Sequence, residues 1–183
     1  EILKKVANYM RANAESFAKE TSLETGKPML ESRGEWQVSA NLFEWYAEEG
    51  KRNYGRVVPT NRADKRSMVI YQSLGVVGVI TAWNFPAYNP ARAVAAALAA
   101  GCCVVMRGSE FTPLSSFNMA KALDEAGIPK GVFNLINTEP VSTGLEMIEN
   151  PLLKKISFTG STRVGKILMD GASKTSTKLS LEL

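Results

Sequence analysis

The stretch C-V-V-M-R-G-S-E, residues 103–110, joins a short apolar run to charged residues that follow it directly. A run this short predicts a strand of a parallel sheet that is covered on both faces. In open α/β sheets, ligands bind beyond the carboxyl ends of the strands. Arg107 and Glu110 are therefore candidate nucleotide-binding residues, with ordinary solvated charges as the alternative interpretation.

Similar apolar runs recur on either side of this stretch and alternate with helical segments from residue 76 onward. The predicted strands are 76–81, 102–106, 132–136, 156–158 and 178–183. The predicted helices are 90–100, 113–126, 142–149 and 162–172, with N-caps at Asn89, Thr112 and Ser161. This alternation at crossover spacing predicts an α/β fold, with a doubly wound, Rossmann-like parallel sheet of about five strands.

Two helices and a β-hairpin are predicted to precede the sheet. Residues 1–25 form the first predicted helix, and the second runs to about Gly50. The second helix carries an apolar stripe that favours a core role over a cofactor site: Trp36, Ala40, Phe43 and Ala47. A polar loop over 53–66 and a strand over 67–74 complete this part.

The composition narrows the class of protein. The chain has 183 residues, of which 45% are hydrophobic and 22% charged, as expected of one soluble globular domain. Its formal charge is +4 with the basic residues scattered, so no nucleic-acid or membrane surface is predicted. The lack of histidine excludes His-based triads, and the adjacent Cys102 and Cys103 are predicted to be inert strand residues. No signal peptide or bilayer-spanning run is found, so a cytoplasmic location is predicted.

The loop T-G-S-T-R-V-G, residues 159–165, joins the fourth predicted strand to its helix. Gly160 allows a tight turn, and Ser161 would present a hydroxyl and a backbone N–H where a helix N-terminus stabilises a phosphate. A P-loop NTPase is an alternative, because 160–166 fits G-x-x-x-x-G-K, but Ile167 stands where a Ser or Thr must bind magnesium. A third interpretation is a capped helix whose glycines only permit close packing.

Two further residues could act on a reacting carbonyl group. Asn84 follows a strand, and its amide can donate to an oxygen that becomes negative. The alternative is that Asn84 closes an Asx-turn before Pro86. Glu182 lies between two leucines and would be desolvated, which suits a general base. The alternative is that Glu182 faces outward on an alternating strand.

Together these motifs resemble the aldehyde dehydrogenase superfamily over essentially the whole chain. The matching segments, in chain order, are Trp83-Asn84-Phe85-Pro86, Leu98-Ala99-Ala100-Gly101, Phe111-Thr112-Pro113-Leu114, Ala126-Gly127-Ile128-Pro129, Phe158-Thr159-Gly160-Ser161-Thr162 and Leu181-Glu182-Leu183. The resemblance implies NAD(P)-dependent oxidation of an aldehyde, in which a thiol adds to the aldehyde, hydride passes to the nicotinamide and the thioester is hydrolysed. The family's catalytic cysteine lies beyond the Glu-Leu motif, and both ends of the sequence look cut. A cofactor-binding fragment of a longer enzyme, inactive by itself, is therefore expected.

The resemblance also implies a role for each candidate residue. Asn84 matches the amide that polarises the aldehyde carbonyl, and Glu182 matches the base that activates the hydrolytic water. The implied cofactor-binding residues are Trp83, Arg107, Glu110, Gly160 and Ser161. The cofactor is NAD or NADP, because a carboxylate at Glu110 repels a 2′-phosphate whereas Arg107, where the family usually has Lys, favours it. Ala82 and Pro140 also depart from the family's usual Pro and Gly.

Arg92, nine residues after Trp83, bears on the choice of aldehyde. Members of the succinate-semialdehyde branch carry an arginine at this spacing. The resemblance therefore implies an ω-carboxylate aldehyde such as succinate semialdehyde, whose carboxylate a guanidinium fork can hold. Pro90 departs from the apolar residue usual in that branch, and the alternative is an arginine that only pairs with a helix neighbour or lies on the surface.

The resemblance places the chain in one NAD(P)-binding domain, with N-terminal helices over 1–53, a loop and strand segment over 54–75 and the β/α core over 76–183. A homo-oligomer, dimer or tetramer, is expected at full length, with a small-molecule aldehyde as substrate and neither nucleic acid nor membrane as partner. A non-catalytic nucleotide-binding module and a P-loop NTPase stay open as alternative functions.

Overall fold

The N-terminal part of the chain forms three helices, where the sequence predicts two. The computed structural model describes all residues, 1–183. Helix α1 covers Ile2–Ala12, α2 covers Ala14–Thr25 and α3 covers Met29–Glu49. The predicted helix over 1–25 is broken at Asn13, whose side-chain amide donates to the Tyr9 carbonyl at 2.9 Å. A side chain that bonds to the local backbone in this way competes with helix propagation, which accounts for the break.

A short antiparallel hairpin follows α3 and confirms the predicted β-hairpin. Strand β1, Arg56–Val58, pairs with β2, Ser67–Val69, with Val57 opposite Met68. The predicted strand over 67–74 is therefore too long. Because β1 has only three residues, the ladder ends at Val69, and the next residue, Ile70, is 69% exposed.

Strand and helix then alternate to the end of the chain. The strands are β3 Val76–Ile80, β4 Cys103–Arg107, β5 Phe133–Ile136, β6 Leu153–Thr159 and β7 Lys178–Glu182. The helices are α4 Tyr88–Ala99, α5 Pro113–Glu125, α6 Pro140–Glu149 and α7 Thr162–Thr175. All five strands are parallel in the order β5-β4-β3-β6-β7, which confirms the doubly wound α/β fold. None of the helices is both long and apolar enough to cross a bilayer.

Strand β6 and helix α6 each begin earlier than the sequence predicts, for identifiable reasons. Strand β6 begins at Leu153 instead of 156, and Lys155, which made the sequence there look polar, pairs with Val77 of β3. Helix α6 begins at Pro140 instead of 142. Its N-terminal amides are capped by Glu139, whose carboxylate accepts from the next two free N–H groups.

One buried core joins the N-terminal helices to the sheet. Helices α4 and α5 lie between the sheet and the layer formed by α1, α2 and α3, while α6 and α7 cover the other face. The predicted stripe on α3 is confirmed as core at Trp36, Ala40 and Phe43, which have no exposed surface, whereas Ala47 is only half-buried. The indole N–H of Trp36 donates to the Thr21 hydroxyl at 2.9 Å, so this buried polar group is satisfied.

The N-terminal layer also caps the helices beneath it. Helix α4 begins at Tyr88, two residues before the predicted start, and has no side-chain cap of its own, so Asn89 is not its N-cap. Instead, the carboxylate of Glu35 in α3 accepts hydrogen bonds from the amides of Ala87, the N-cap residue, and Tyr88. Similarly, Thr112 stands at the N-cap of α5 without making a cap bond, and Glu24 of α2 accepts from two first-turn amides, each at 2.8 Å. Both cap predictions were therefore wrong about the residue that does the capping.

Candidate functional site

The loops after β3 and β6 meet at the point where the strand order reverses. Ile80 at the end of β3 lies opposite Phe158 of β6, so the residues that follow both strands lie at one edge of the sheet. A cavity of about 970 Å³ opens there. Five of the predicted site residues line it: Trp83, Asn84, Gly160, Ser161 and Glu182. In doubly wound folds this reversal is where ligands bind.

Asn84 presents its amide to this cavity. Its Oδ1 accepts from the side-chain Nδ2 of Asn89 at 3.4 Å, which leaves the Nδ2 of Asn84 available as a donor. The alternative Asx-turn requires this oxygen to accept a hydrogen bond from a backbone N–H of its own loop, and no such bond is formed. An amide donor fixed at its oxygen end can donate to a carbonyl oxygen held in the cavity.

Glu182 lies at the boundary between this cavity and a neighbouring groove of about 780 Å³. Its carboxylate forms an ion pair with Arg92 and accepts from the Thr159 hydroxyl at 3.2 Å. The predicted desolvation is wrong for this chain, because the Glu182 side chain is 54% exposed. It stands at the end of β7, an edge strand whose alternate residues face outward, which matches the alternative interpretation.

Arg92 lines the groove and not the cavity that contains Asn84. Its Nη2 lies 3.3 Å from the Thr159 hydroxyl and pairs with Glu182, so two elements besides α4 hold it. Neither partner is a helix neighbour. The structure therefore brings Arg92 to the candidate base Glu182, which lines the same cavity as the candidate amide donor Asn84.

The loop after β6 differs from a P-loop. Helix α7 begins at Thr162, so only two residues separate it from the strand, and the Gly160 N–H donates to the Glu182 carbonyl at 3.1 Å within the sheet. A P-loop directs such amides to phosphates, so the P-loop interpretation is wrong. Ser161 is confirmed as the N-cap, accepting from the Val164 amide at 3.4 Å. A Cβ on Gly160 would lie 2.5 Å from the ring of Phe158, so glycine is required there for packing.

Arg107 is the last residue of β4 and Glu110 lies three residues further on, one strand away from the cavity. Arg107 is only 5% exposed, and its guanidinium donates to Glu110 at 2.5 Å and to the Thr138 carbonyl at 3.5 Å. Its Nε is buried with no hydrogen-bond partner, an unusual state for a charged group. Burial raises the pKa of Glu110, but a backbone hydrogen bond and Arg107 outweigh it, so the pKa lies below the ordinary value.

Glu139, which the sequence analysis missed, adds a second carboxylate beside Arg107. Hydrogen bonds from the amides of Ser142 and Val141 hold its pKa below the ordinary value, with a further contribution from Arg107. The Glu-Pro pair at the start of α6 is a recognisable helix-start signal. That signal does not indicate that α6 begins next to Arg107.

A family model described as the aldehyde dehydrogenase family matches residues 1–183. The chain belongs to the aldehyde dehydrogenase family. The resemblance found in the sequence motifs is thus confirmed. Among relatives of this aldehyde dehydrogenase chain, succinate-semialdehyde dehydrogenase (NADP(+)) GabD of Escherichia coli K12 is 44% identical over 182 residues. That match covers 100% of this chain and 38% of the relative, so the chain spans well under half of the length of that protein.

Solved structures of other aldehyde dehydrogenases superpose closely on this one. Succinate-semialdehyde dehydrogenase from Burkholderia pseudomallei has a TM-score of 0.97 and 44% identity, covering 100% of this chain and 38% of that chain. A variant of betaine aldehyde dehydrogenase from Staphylococcus aureus, in complex with NAD+, has a TM-score of 0.96 and 32% identity, covering 100% of this chain and 37% of that one.

The residues present in this aldehyde dehydrogenase chain fit a dinucleotide. The buried guanidinium of Arg107 and the part-exposed carboxylate of Glu110 that it binds lie at one end of the strand edge, and the N-terminus of α7 with Ser161 lies further along it. Trp83 is 53% exposed beside the same cavity and offers an aromatic surface. Such a row of polar and aromatic groups across three strand ends suits an elongated ligand that carries a phosphate.

One wall of the cavity comes from a helix that the sequence analysis assigned only to the core. Helix α3 contributes four residues at helical spacing: Glu31, Gly34, Glu35 and Val38. These lie on a different stripe from the buried aromatic residues of α3. The spacing of 31, 34, 35 and 38 was a detectable signal, but its mixed polarity gave no reason to expect a cavity wall.

Proposed function

We propose that the full-length protein containing this chain oxidises an aldehyde to a carboxylic acid with NAD or NADP. The observation that supports this most directly is the convergence of Asn84, Ser161 and Glu182 on one cavity at the strand-order reversal. This chain is proposed to be part of a single dinucleotide-binding domain. Cys102 is buried and Cys103 half-buried at the start of β4. Neither lines the cavity, and Cys102 lines only the neighbouring groove, so the reactive thiol is proposed to lie beyond this chain.

Each proposed catalytic group has a defined task. A nicotinamide dinucleotide supplies, when bound, an acceptor for the hydride of the aldehyde carbon. Asn84 donates its Nδ2 hydrogen bond to the aldehyde oxygen, which becomes negative when a nucleophile adds. Glu182 accepts the proton of the water that hydrolyses the resulting thioester.

The cofactor is proposed to be held by Trp83, Arg107, Glu110, Gly160 and Ser161. The relatives do not agree on one cofactor, since the Escherichia coli protein is named for NADP(+) and the Staphylococcus aureus structure contains NAD+. In this chain the carboxylates of Glu110 and Glu139 both lie near Arg107 and have lowered pKa values. Two ionised groups beside the ribose position favour NAD over a 2′-phosphate.

The substrate is proposed to be a semialdehyde with a terminal carboxylate, such as succinate semialdehyde. Arg92 lies next to the site, and its guanidinium forms an ion pair with the carboxylate of Glu182, which a substrate carboxylate would have to share or displace. The chain's 44% identity to a succinate-semialdehyde dehydrogenase supports the same class. Assembly as a dimer or tetramer of the full-length protein stays a prediction.

The experiment measures the appearance of reduced nicotinamide with the full-length protein, succinate semialdehyde and an uncharged aldehyde of similar length. Arg92→Ala should lower kcat/KM for succinate semialdehyde by a factor that corresponds to about 1.5–3 kcal/mol of lost transition-state stabilisation. This is the range for a hydrogen bond to a charged group. The uncharged aldehyde should be nearly unaffected. Arg62→Ala, which removes an arginine paired with Asp64 in the exposed hairpin segment, is the matched control.

Equal losses on both aldehydes would mean that Arg92 serves Glu182 and does not select the substrate. The same assay, together with calorimetry, tests the alternative of a non-catalytic nucleotide-binding module. Such a module would bind the dinucleotide in the calorimeter but form no reduced nicotinamide from any aldehyde.

A further inference from the structure

A buried ion pair in the N-terminal layer contacts the loop that carries Asn84. Lys27, between α2 and α3, lies with its Nζ 2.5 Å from a carboxylate oxygen of Glu35 in α3. The two side chains are only 10% and 2% exposed, far less than in any other ion pair between the N-terminal helices. Charges this deeply buried need polar partners beyond each other.

Lys27 finds its further partners in the Asn84 loop. The same Nζ donates to the backbone carbonyl of Asn84 at 2.8 Å. It also lies over the ring of Phe85, 4.0 Å from the ring centroid, which is the geometry of a cation–π contact. The ammonium group therefore fixes both the carbonyl of Asn84 and the side chain that follows it.

Glu35 binds the other end of the same loop. Its second carboxylate oxygen accepts from the Ala87 amide at 2.7 Å and from the Tyr88 amide at 3.0 Å. These are the amides of the N-cap residue and of the first residue of α4, a helix with no side-chain cap of its own. The segment 84–88 is thus held at its start by a cation and at its end by an anion.

We propose that Lys27 and Glu35 are positioning residues that hold the Asn84 amide in register with the aldehyde oxygen, an inference that rests on the proposed function. An apolar pair of the same size could fill the space, and such replacements of buried ion pairs often maintain stability. It could not satisfy the carbonyl of Asn84 and the amides of Ala87 and Tyr88. The charges therefore specify the conformation of the loop, which a catalytic donor requires within a fraction of an ångström.

The test uses the full-length enzyme with Glu35→Gln, Lys27→Met and the conservative Lys27→Arg. The first two should lower kcat by about 10–100-fold, the loss that follows from misplacing a catalytic group by about 1 Å. KM for the dinucleotide should stay within about twofold, and Lys27→Arg should recover most of kcat. The matched control is the exposed pair between α1 and α3, changed as Lys4→Met and Glu48→Gln, which should leave kcat unchanged.

A double-mutant cycle with Asn84→Ala separates positioning from general support of the fold. If the pair acts through Asn84, Glu35→Gln should cause no further loss of kcat in the Asn84→Ala enzyme. The same fold-loss in both backgrounds would overturn the proposal. If Glu35→Gln does not fold, Lys27→Met enters the same cycle in its place.

Hydrogen exchange tests the contacts without catalysis. The amides of Ala87 and Tyr88 should exchange at least about 10-fold faster in Glu35→Gln, while that of Val104 in β4 should not change. Unchanged exchange at Ala87 and Tyr88 would overturn the inference. If Asn84→Ala leaves kcat intact but these amides still exchange faster, the catalytic role proposed for Asn84 fails and the structural contact stands.

Discussion

At the scale of single residues, the charges of this chain are arranged in neutralising groups around the ligand edge of the sheet. Arg107 lies between Glu110 and the Thr138 carbonyl, and Arg92 pairs with Glu182. Each arginine is thereby oriented before any ligand binds. The partners of an arginine also decide what the arginine accepts, because a carboxylate beside it repels a second anion.

The first prediction concerns the choice of cofactor at Glu110. In the full-length enzyme, Glu110→Gln should raise the ratio of kcat/KM for NADP to that for NAD by about 2–5-fold. The reason is that removing one negative charge eases the approach of the 2′-phosphate. The change in relative transition-state free energy between the two cofactors stays within about 1 kcal/mol, because the Glu110 side chain is 43% exposed and solvent screens its charge.

The control for this prediction is Glu149→Gln, an exposed carboxylate at the far end of α6. It should leave the ratio unchanged. The lowered pKa of Glu110 means that its carboxylate is ionised at neutral pH, where the assay is run. A ratio that does not move in Glu110→Gln would remove Glu110 from the ribose site.

At the scale of secondary-structure elements, glycines set how closely the helices approach. Helices α6 and α7 pack side by side on one face of the sheet. A Cβ at Gly171 of α7 would collide with the buried side chain of Ile148 in α6. By contrast, a Cβ at Gly144 of α6 would meet no atom within 4 Å, and the φ of Gly144 is not positive. The two glycines therefore have opposite structural roles in otherwise similar helices.

The second prediction compares these two glycines. Gly171→Ala should destabilise the protein by about 1–3 kcal/mol, because Ile148 is branched, buried and unable to move aside. Gly144→Ala should stabilise it by about 0.5–1 kcal/mol, because alanine favours the helix and restricts the unfolded chain. Urea unfolding of both variants measures the difference. Equal changes in the free energy of unfolding for the two variants would mean that Ile148 can move away from position 171.

At the scale of the whole molecule, the N-terminal layer and the sheet share one core. A single cluster of 22 buried residues runs from Val6 and Met10 of α1 through Val94 of α4 to Val104 of β4. The trans caps from Glu24 and Glu35 link the same layers through hydrogen bonds. The site depends on this union, because one wall of its cavity and the contacts that hold the Asn84 loop come from the N-terminal layer, whereas the loop itself follows a strand of the sheet.

The third prediction follows from the shared core. Met10→Ala should cost about 2–5 kcal/mol, the range for emptying a fully buried site. It should lower the hydrogen-exchange protection of the β4 amides by the same amount as that of α3, because the two layers unfold together. Met169→Ala, at a methionine that is 44% exposed, is the control and should have little effect. A loss of protection confined to the N-terminal helices would show that the layers unfold separately.

The sequence by itself determined the order and type of the elements in the sheet. Short apolar runs, the serine before α7 and the glycines after the helices act within a few residues, so they can be recognised without a structure. The family motifs likewise identified the residues that gather at the cavity, including Asn84 and Ser161. The break at Asn13 was missed because one side-chain bond decided it.

Only the tertiary structure decided which distant residues complete the site. Glu35 caps a helix whose first amides lie 52 and 53 residues further along the chain, and Lys27 binds a carbonyl 57 residues away. The pairing of Arg92 with Glu182 and the exposure of that carboxylate likewise depend on where β7 lies at the edge of the sheet. Local patterns carry no information about such contacts, because their energy appears only after the layers have packed.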